Sequence, residues 1–109
     1  MSAHPTIGQL RQRVTLQAPV DAPDDLGGAE RSFSSFDRVW ARIETRGSRE
    51  QFTEQRLEQS RRFAVTIRWR NDVTSQMRIV LRERILVIRS IEDQDETRRF
   101  LTCLCEEIS

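Results

Sequence analysis

The chain has 109 residues with 18 basic and 17 acidic side chains, and every basic residue is arginine. Its 28 Ile, Leu, Val and Phe residues suffice for a single folded domain over 1–109, while no apolar run approaches the ~20 residues needed to cross a bilayer. Met1 to Ala18 lacks the apolar stretch of a signal peptide, so synthesis in a cytoplasm is expected, and the net charge of +1 gives no bulk attraction to nucleic acid.

In chain order, Leu10, Val14 and Leu16 alternate with Arg11, Arg13, Thr15 and Gln17, which predicts a strand packed on one side. Residues 18–35 hold Pro19, Pro23, Asp24, Asp25, Gly27 and Gly28 without periodicity and read as a long flexible loop. Alternation returns over Phe36 to Thr45, with Val39, Ala41 and Ile43 on one face and Arg38, Trp40, Arg42 and Glu44 on the other. A tryptophan among charged neighbours on an outer face is either tucked under an adjacent loop or waits for a partner chain.

Over 48–62, Ser48 followed three residues later by Gln51 fits a capping box, and no Gly or Pro interrupts, which predicts a helix. Its large apolar residues, Phe52 and Leu57, lie five apart and make no core stripe. Glu50, Glu54 and Glu58 repeat at i+4, a spacing that mildly destabilises an isolated helix. Such a helix either lies solvated over a sheet edge or is completed by a neighbouring subunit.

Phe63, Val65, Ile67 and Trp69 then alternate with Arg62, Ala64, Thr66, Arg68 and Arg70. Shorter strands follow at 77–81, 85–92 and 99–106, with turn candidates at Asn71-Asp72 and 94–97. The pattern predicts a mainly β protein, a small antiparallel barrel of about six strands with one long loop and one inserted helix.

Chemistry is sparse. His4 is the only histidine, and Cys103 and Cys105 at C-x-C spacing lack the second ligand pair of a zinc site, so neither metal nor cofactor is expected and the two thiols read as free and half-buried. No carboxylate sits in an apolar context suited to acid catalysis, no serine has a nearby histidine, and Gly27-Gly28 lacks the ending of a phosphate loop. An enzyme is not expected. Charge is nevertheless segregated: residues 21–37 carry −4, residues 61–91 carry +6 (eight arginines against Asp72 and Glu83), and residues 92–109 carry −4. Arg62, Arg68 and Arg70 either bind nucleic acid, as small barrels often do, or pair with the acidic segments around 92–96 and 50–58, within the chain or across a subunit boundary.

The ordered set Ile7-Gly-Gln-Leu-Arg-Gln-Arg-Val-Thr-Leu-Gln17, Asp25-Leu-Gly-Gly28, Val39-Trp-Ala-Arg-Ile43, Ser48-Arg-Glu50, Val65-Thr-Ile-Arg-Trp69, Met77-Arg-Ile79 and Ile85-Leu-Val-Ile-Arg-Ser-Ile91 resembles the head-tail joining proteins of tailed phages and gene transfer agents, also called head-completion or stopper proteins. The chain departs from that family at Arg82-Glu83-Arg84-Ile85-Leu86, where a glycine and an aromatic residue are frequent. The resemblance implies a small barrel whose copies form a homo-oligomeric ring in a virion or gene transfer particle. Such a ring sits between portal and adaptor proteins and the tail proteins, and it helps retain double-stranded DNA that passes through without sequence-specific binding. It further implies a channel or plug role for the loop bearing Asp21, Asp24, Asp25, Gly27 and Gly28. Subunit contacts are expected through Trp40, Glu50, Glu54, Glu58, Arg62, Arg68 and Arg70. The alternative is a monomeric barrel that binds nucleic acid.

Overall fold

A computed structural model describes the backbone over residues 10–23, 26–53, 56–93 and 98–108, and the side chains over the same residues except 29–30, 48–49, 51–59, 93 and 108. Six antiparallel strands are present: β1 (Gln12–Pro23), β2 (Ala29–Thr53), β3 (Arg56–Arg68), β4 (Arg78–Leu81), β5 (Arg84–Asp93) and β6 (Phe100–Ile108). They close into a barrel in the order β1-β2-β3-β6-β5-β4, and the seam is three residue pairs between β1 and β4, Thr15 with Val80, Leu16 with Ile79 and Gln17 with Arg78.

The period-two alternation explains the core. Val14 and Leu16, Ala41, Phe63, Val65 and Ile67, Ile79 and Leu81, Leu86 and Ile88, and Leu101, Cys103 and Cys105 all point inward and are buried together. Register aligns these positions in layers, with Ile67 opposite Ala41 on one side and Leu101 on the other. Cys103 and Cys105 are free and fully buried instead of half-buried. The outer face of β3 is less exposed than alternation implies: Ala64 and Thr66 are also buried, and the Thr66 hydroxyl pairs with that of Thr102 at 3.3 Å.

Two expected elements are corrected. Residues 18–23 and 29–35 are strand and not loop: beyond Gln17 the β1–β2 pair continues as a two-stranded ribbon, with Ala18 opposite Ser34 and Pro23 opposite Ala29. A ribbon satisfies its backbone by pairing and needs no apolar face, and its prolines are tolerated because among the described residues β1 has no partner on its other side beyond Gln17. The expected helix over 48–62 is likewise strand among the described residues. β2 runs to Thr53 and β3 begins at Arg56, so Phe52 stands directly opposite Leu57 and Glu50 opposite Gln59. A five-residue spacing that fits no helix face is the spacing of partners across a tight hairpin, and pairing also removes the i+4 stacking of glutamates.

Three bulges each insert one unpaired residue: Phe36 and Arg46 in β2, and Arg89 in β5. The β4–β5 connection is a two-residue hairpin between Leu81 and Arg84, and its first residue, Arg82, has φ 57. That is the left-handed region, which costs a side-chain-bearing residue about 1–2 kcal/mol. Arg82→Gly is therefore expected to raise stability by about 0.5–1 kcal/mol, read as a higher urea midpoint. A lowered midpoint would mean that the Arg82 side chain holds the turn.

Candidate functional site

The seam of the barrel builds the most distinctive surface. Arg11 just before β1 and Arg13 on it face outward, alternation on β2 presents Arg38 and Trp40, and the register places Arg13 opposite Trp40 and Thr15 between Arg38 and Val80. The β4–β5 turn adds Arg82. Together these side chains line a groove of about 510 Å³ whose described lining contains four arginines and no carboxylate. Trp40 is 50% exposed, and the Arg13 guanidinium lies 5.0 Å from its ring centroid. The tryptophan is thus not tucked under a loop: its ring is the apolar patch of a basic face. Among the described residues, Arg13, Arg38 and Arg82 make no ion pair.

On the other side of Trp40 a groove of about 300 Å³ is lined by Val39, Arg68 and Arg70. Arg70 is already engaged, bonding Asp72 through two nitrogens at 2.8 Å and also bonding Asp37, while its guanidinium lies 5.5 Å from the Phe36 ring. The Arg70 guanidinium holds the Asp72 and Asp37 carboxyls below the ordinary carboxylate value near 3.8, and a backbone N–H from Arg38 adds to the effect at Asp37. A depressed folded-state value gives stability that is present above the unfolded value and lost as pH falls through the folded one. The stability difference between the native chain and Arg70→Gln is accordingly expected to persist at neutral pH and vanish in acid below the native values of these two carboxyls. Melting curves taken across that range check it, and a difference that survives in acid contradicts it.

A second basic groove, of about 500 Å³, opens on the far side of the barrel. The β2 and β5 bulges turn Arg46 and Arg89 towards it, with Arg62 of β3 between them and Phe63 and Leu104 lining it. Here acids are present: Arg89 meets Glu106 at 3.1 Å, and Glu92 also lines the groove.

The structure brings together Trp40, Arg68 and Arg70 among the residues singled out from sequence, and separates Arg62 from them. Asp21 lies on the β1–β2 ribbon, paired with Arg31 at 3.0 Å. Gly27 has φ 82 in the connection beyond the ribbon, where Gly28 follows it, and Asp24 and Asp25 lie outside the described residues. Glu50 is exposed on the β2–β3 hairpin. Glu58 belongs to β3 by its backbone only, and Glu54 lies outside the described residues. The side chains at 51–59 and 93–96, most of the acidic segments to which Arg62, Arg68 and Arg70 were expected to pair, lie outside the described residues; among the described ones Arg84 binds Glu107 through two nitrogens, at 2.9 and 2.8 Å, and Arg89 binds Glu106.

Sequence reasoning missed Arg11, Arg13, Arg38 and Arg82 as one group. The signal was there in the outward alternation of the first two strands, but only the β1–β2 register and the β1–β4 seam assemble it. Burial pushes the Cys103 thiol up to about 12 and Cys105 higher still, so both thiols stay protonated. Among the described residues no three His, Cys, Asp or Glu side chains converge as a metal site requires.

Comparison with known proteins finds that residues 5–108 match the family described as phage head completion protein. No curated protein matches. Among solved structures, a chain of the virion of a native gene transfer agent particle superposes with a TM-score of 0.81 at 21% identity, covering 97% of this chain and 98% of that one. The solution structure of protein SF1141 from Shigella flexneri 2a superposes with a TM-score of 0.70 at 22% identity, covering 94% and 96%. At these identities the superpositions establish a shared fold.

Proposed function

The chain belongs to the phage head completion protein family, and from that premise we propose that it is a structural component of a phage or gene transfer agent particle, a connector at the junction of head and tail. Copies form a homo-oligomeric ring between the portal or adaptor proteins and the tail proteins. The ring joins the two and retains packaged double-stranded DNA, which passes through its channel without sequence-specific contacts. The observation that carries this reading is the family match over nearly the whole chain.

The surface supports it in a second way. A ring closed by head-to-tail contacts needs two unlike surfaces on each subunit. The β1–β2 strand pair carries both, an arginine face around Trp40 at one end and at the other a ribbon bearing Asp21, joined by a connection that holds Gly27 and Gly28 and, by sequence, Asp24 and Asp25. The ribbon lies outside the six-stranded wall, from where it can narrow the channel. Glu50 and Glu58 on the β2–β3 hairpin, Glu54 between them in sequence, and Arg62 and Arg68 on the barrel wall are further contact residues between subunits or with neighbouring rings.

Removing the chain from a particle-producing system tests the proposal. DNA-filled heads that fail to join tails and lose their DNA are expected, whereas intact tailed particles with full DNA content would refute it. A second reading, a barrel that binds single-stranded nucleic acid, is favoured by one observation, the exposed tryptophan among arginines without a carboxylate. Salt-dependent binding of single-stranded DNA by the purified chain, lost on Arg62→Ala with Arg68→Ala or on Arg13→Ala with Arg38→Ala, would support that reading; the connector account expects no such binding.

A further inference from the structure

We propose that Arg70 and Arg78 are positioning residues that hold the β1–β2 ribbon at one fixed angle to the barrel, bridging the joint where it leaves the wall. The inference concerns the chain by itself and does not depend on the connector reading.

The joint is visible in the register. Leu16 pairs with Asp37 and Gln17 with Ser35, so Phe36 is bulged, and Gln17 is also the last residue of β1 that pairs with β4. β2 meets β3 only from Ala41 onwards. Among the described residues, the ribbon beyond the bulge is thus two strands wide, with no third strand to set its direction. A bulge bends its strand, and a two-stranded ribbon alone is marginal in water, so backbone pairing does not fix the angle at Phe36. Side chains from outside the ribbon do.

Arg70 grips the joint itself. It follows β3 in a segment tied to the wall by the Trp69 N–H, which donates to the Arg99 carbonyl at 3.0 Å. From there its guanidinium binds Asp37, the residue next to the bulge, and lies 5.5 Å from the centroid of the bulged Phe36 ring. Two bonds of 2.8 Å to Asp72 keep the same guanidinium in place. A planar fork can engage two carboxylates and a ring at once, which a lysine ammonium cannot.

Arg78 reaches past the joint. As the first residue of β4 it belongs to the wall, and its Nε donates to the Gln17 side-chain oxygen at 2.7 Å while its guanidinium lies 4.0 Å from the Phe33 ring centroid. The Gln17 amide in turn donates to the Ser35 hydroxyl at 3.1 Å, which ties both ribbon strands to one arginine. Phe33 is half-buried although it lies outside the core, and the arginine is its cover.

Two grips, one at the bulge and one beyond it, define an angle where a single grip would leave a pivot. None of these side chains belongs to the buried core, so the barrel does not need them for its own packing. What they set is the direction of the arm. An arm held in place before it meets a partner binds without first having to be ordered.

The test places nitroxide labels on the full chain at Val20→Cys in the ribbon and Ser90→Cys in β5, and reads their distance distribution by double electron–electron resonance in frozen solution. Both positions are exposed, while Cys103 and Cys105 are buried and stay unlabelled. A single narrow distribution is expected, broadening about twofold or more when Arg70→Gln and Arg78→Gln are combined. A second label pair on the barrel, Thr45→Cys with Ser90→Cys, should stay unchanged in that double variant. A native distribution that is already broad, or a double variant as narrow as the native chain, would overturn the proposal. Broadening of the barrel pair would overturn it too, because the two arginines would then hold the barrel and not the arm.

Discussion

Ile67→Ala is expected to remove about 3–4 kcal/mol of stability, a large loss for a single truncation in the barrel. Ile67 is fully buried on β3, the strand with long pairings to β2 on one side and β6 on the other, and its side chain meets the layer formed by Ala41 and Leu101. Because Ala41 is already small, the neighbouring strand has little side chain with which to fill the space, and a cavity remains. A chain of this size has about 5–15 kcal/mol in total, so the change consumes a large fraction of it. With a urea dependence of about 1–2 kcal/mol per molar, the unfolding midpoint should fall by about 2 M or more. Ile85→Ala is the matched control: Ile85 is 42% exposed on the outside of β5, and its truncation should cost under about 1 kcal/mol. Equal losses at the two positions would contradict the assignment of inward and outward faces.

The second large effect concerns DNA retention. Replacing Asp21 to Arg31 by Asn-Gly is expected to leave the barrel folded and to lower the yield of DNA-containing particles by an order of magnitude or more. Val20 and Ser32 are opposite one another in the ribbon, so a two-residue turn can rejoin them. The seam pairs of β1 with β4 end at Gln17, and no described residue of the removed segment belongs to the buried core. Thermal unfolding of the purified variant should therefore stay close to that of the native chain. Loss of DNA with the fold intact assigns retention to the ribbon. Particles that keep their DNA would remove the ribbon from that role, and an unfolded variant would show that the ribbon supports the barrel.

The fold was legible where one face of a strand is buried. Leu10 to Leu16, Val39 to Ile43 and Phe63 to Ile67 announce their inward faces by alternation, and the same pattern led to six strands and a barrel. The two ribbons were not legible because they bury no continuous face of their own. Residues 18–23, 29–35, 48–53 and 56–62 are held as strands by backbone pairing, which leaves no hydrophobic period to read, and the Ser48 to Gln51 spacing imitates a helix start. The meaning of Phe52 and Leu57 depended on recognising them as cross-strand partners.

The candidate surface was legible in part. Trp40, Arg68 and Arg70 lie together, but charge summed along the chain pointed to residues 61–91, where several arginines are consumed internally: Arg70 by Asp37 and Asp72, Arg84 by Glu107, Arg89 by Glu106. The arginines without an ion pair among the described residues include Arg13, Arg38 and Arg82, drawn from three separate segments. Linear charge cannot show that, since pairing depends on strand order and register. The near-neutral total therefore conceals one basic face beside Trp40 and one acidic ribbon, carried by the same pair of strands.

Electron cryomicroscopy of purified particles tests the central claim most directly. The account predicts a closed ring of this chain at the head-tail junction. Particles that are DNA-filled and tailed, with no density for the chain at that junction, would contradict it.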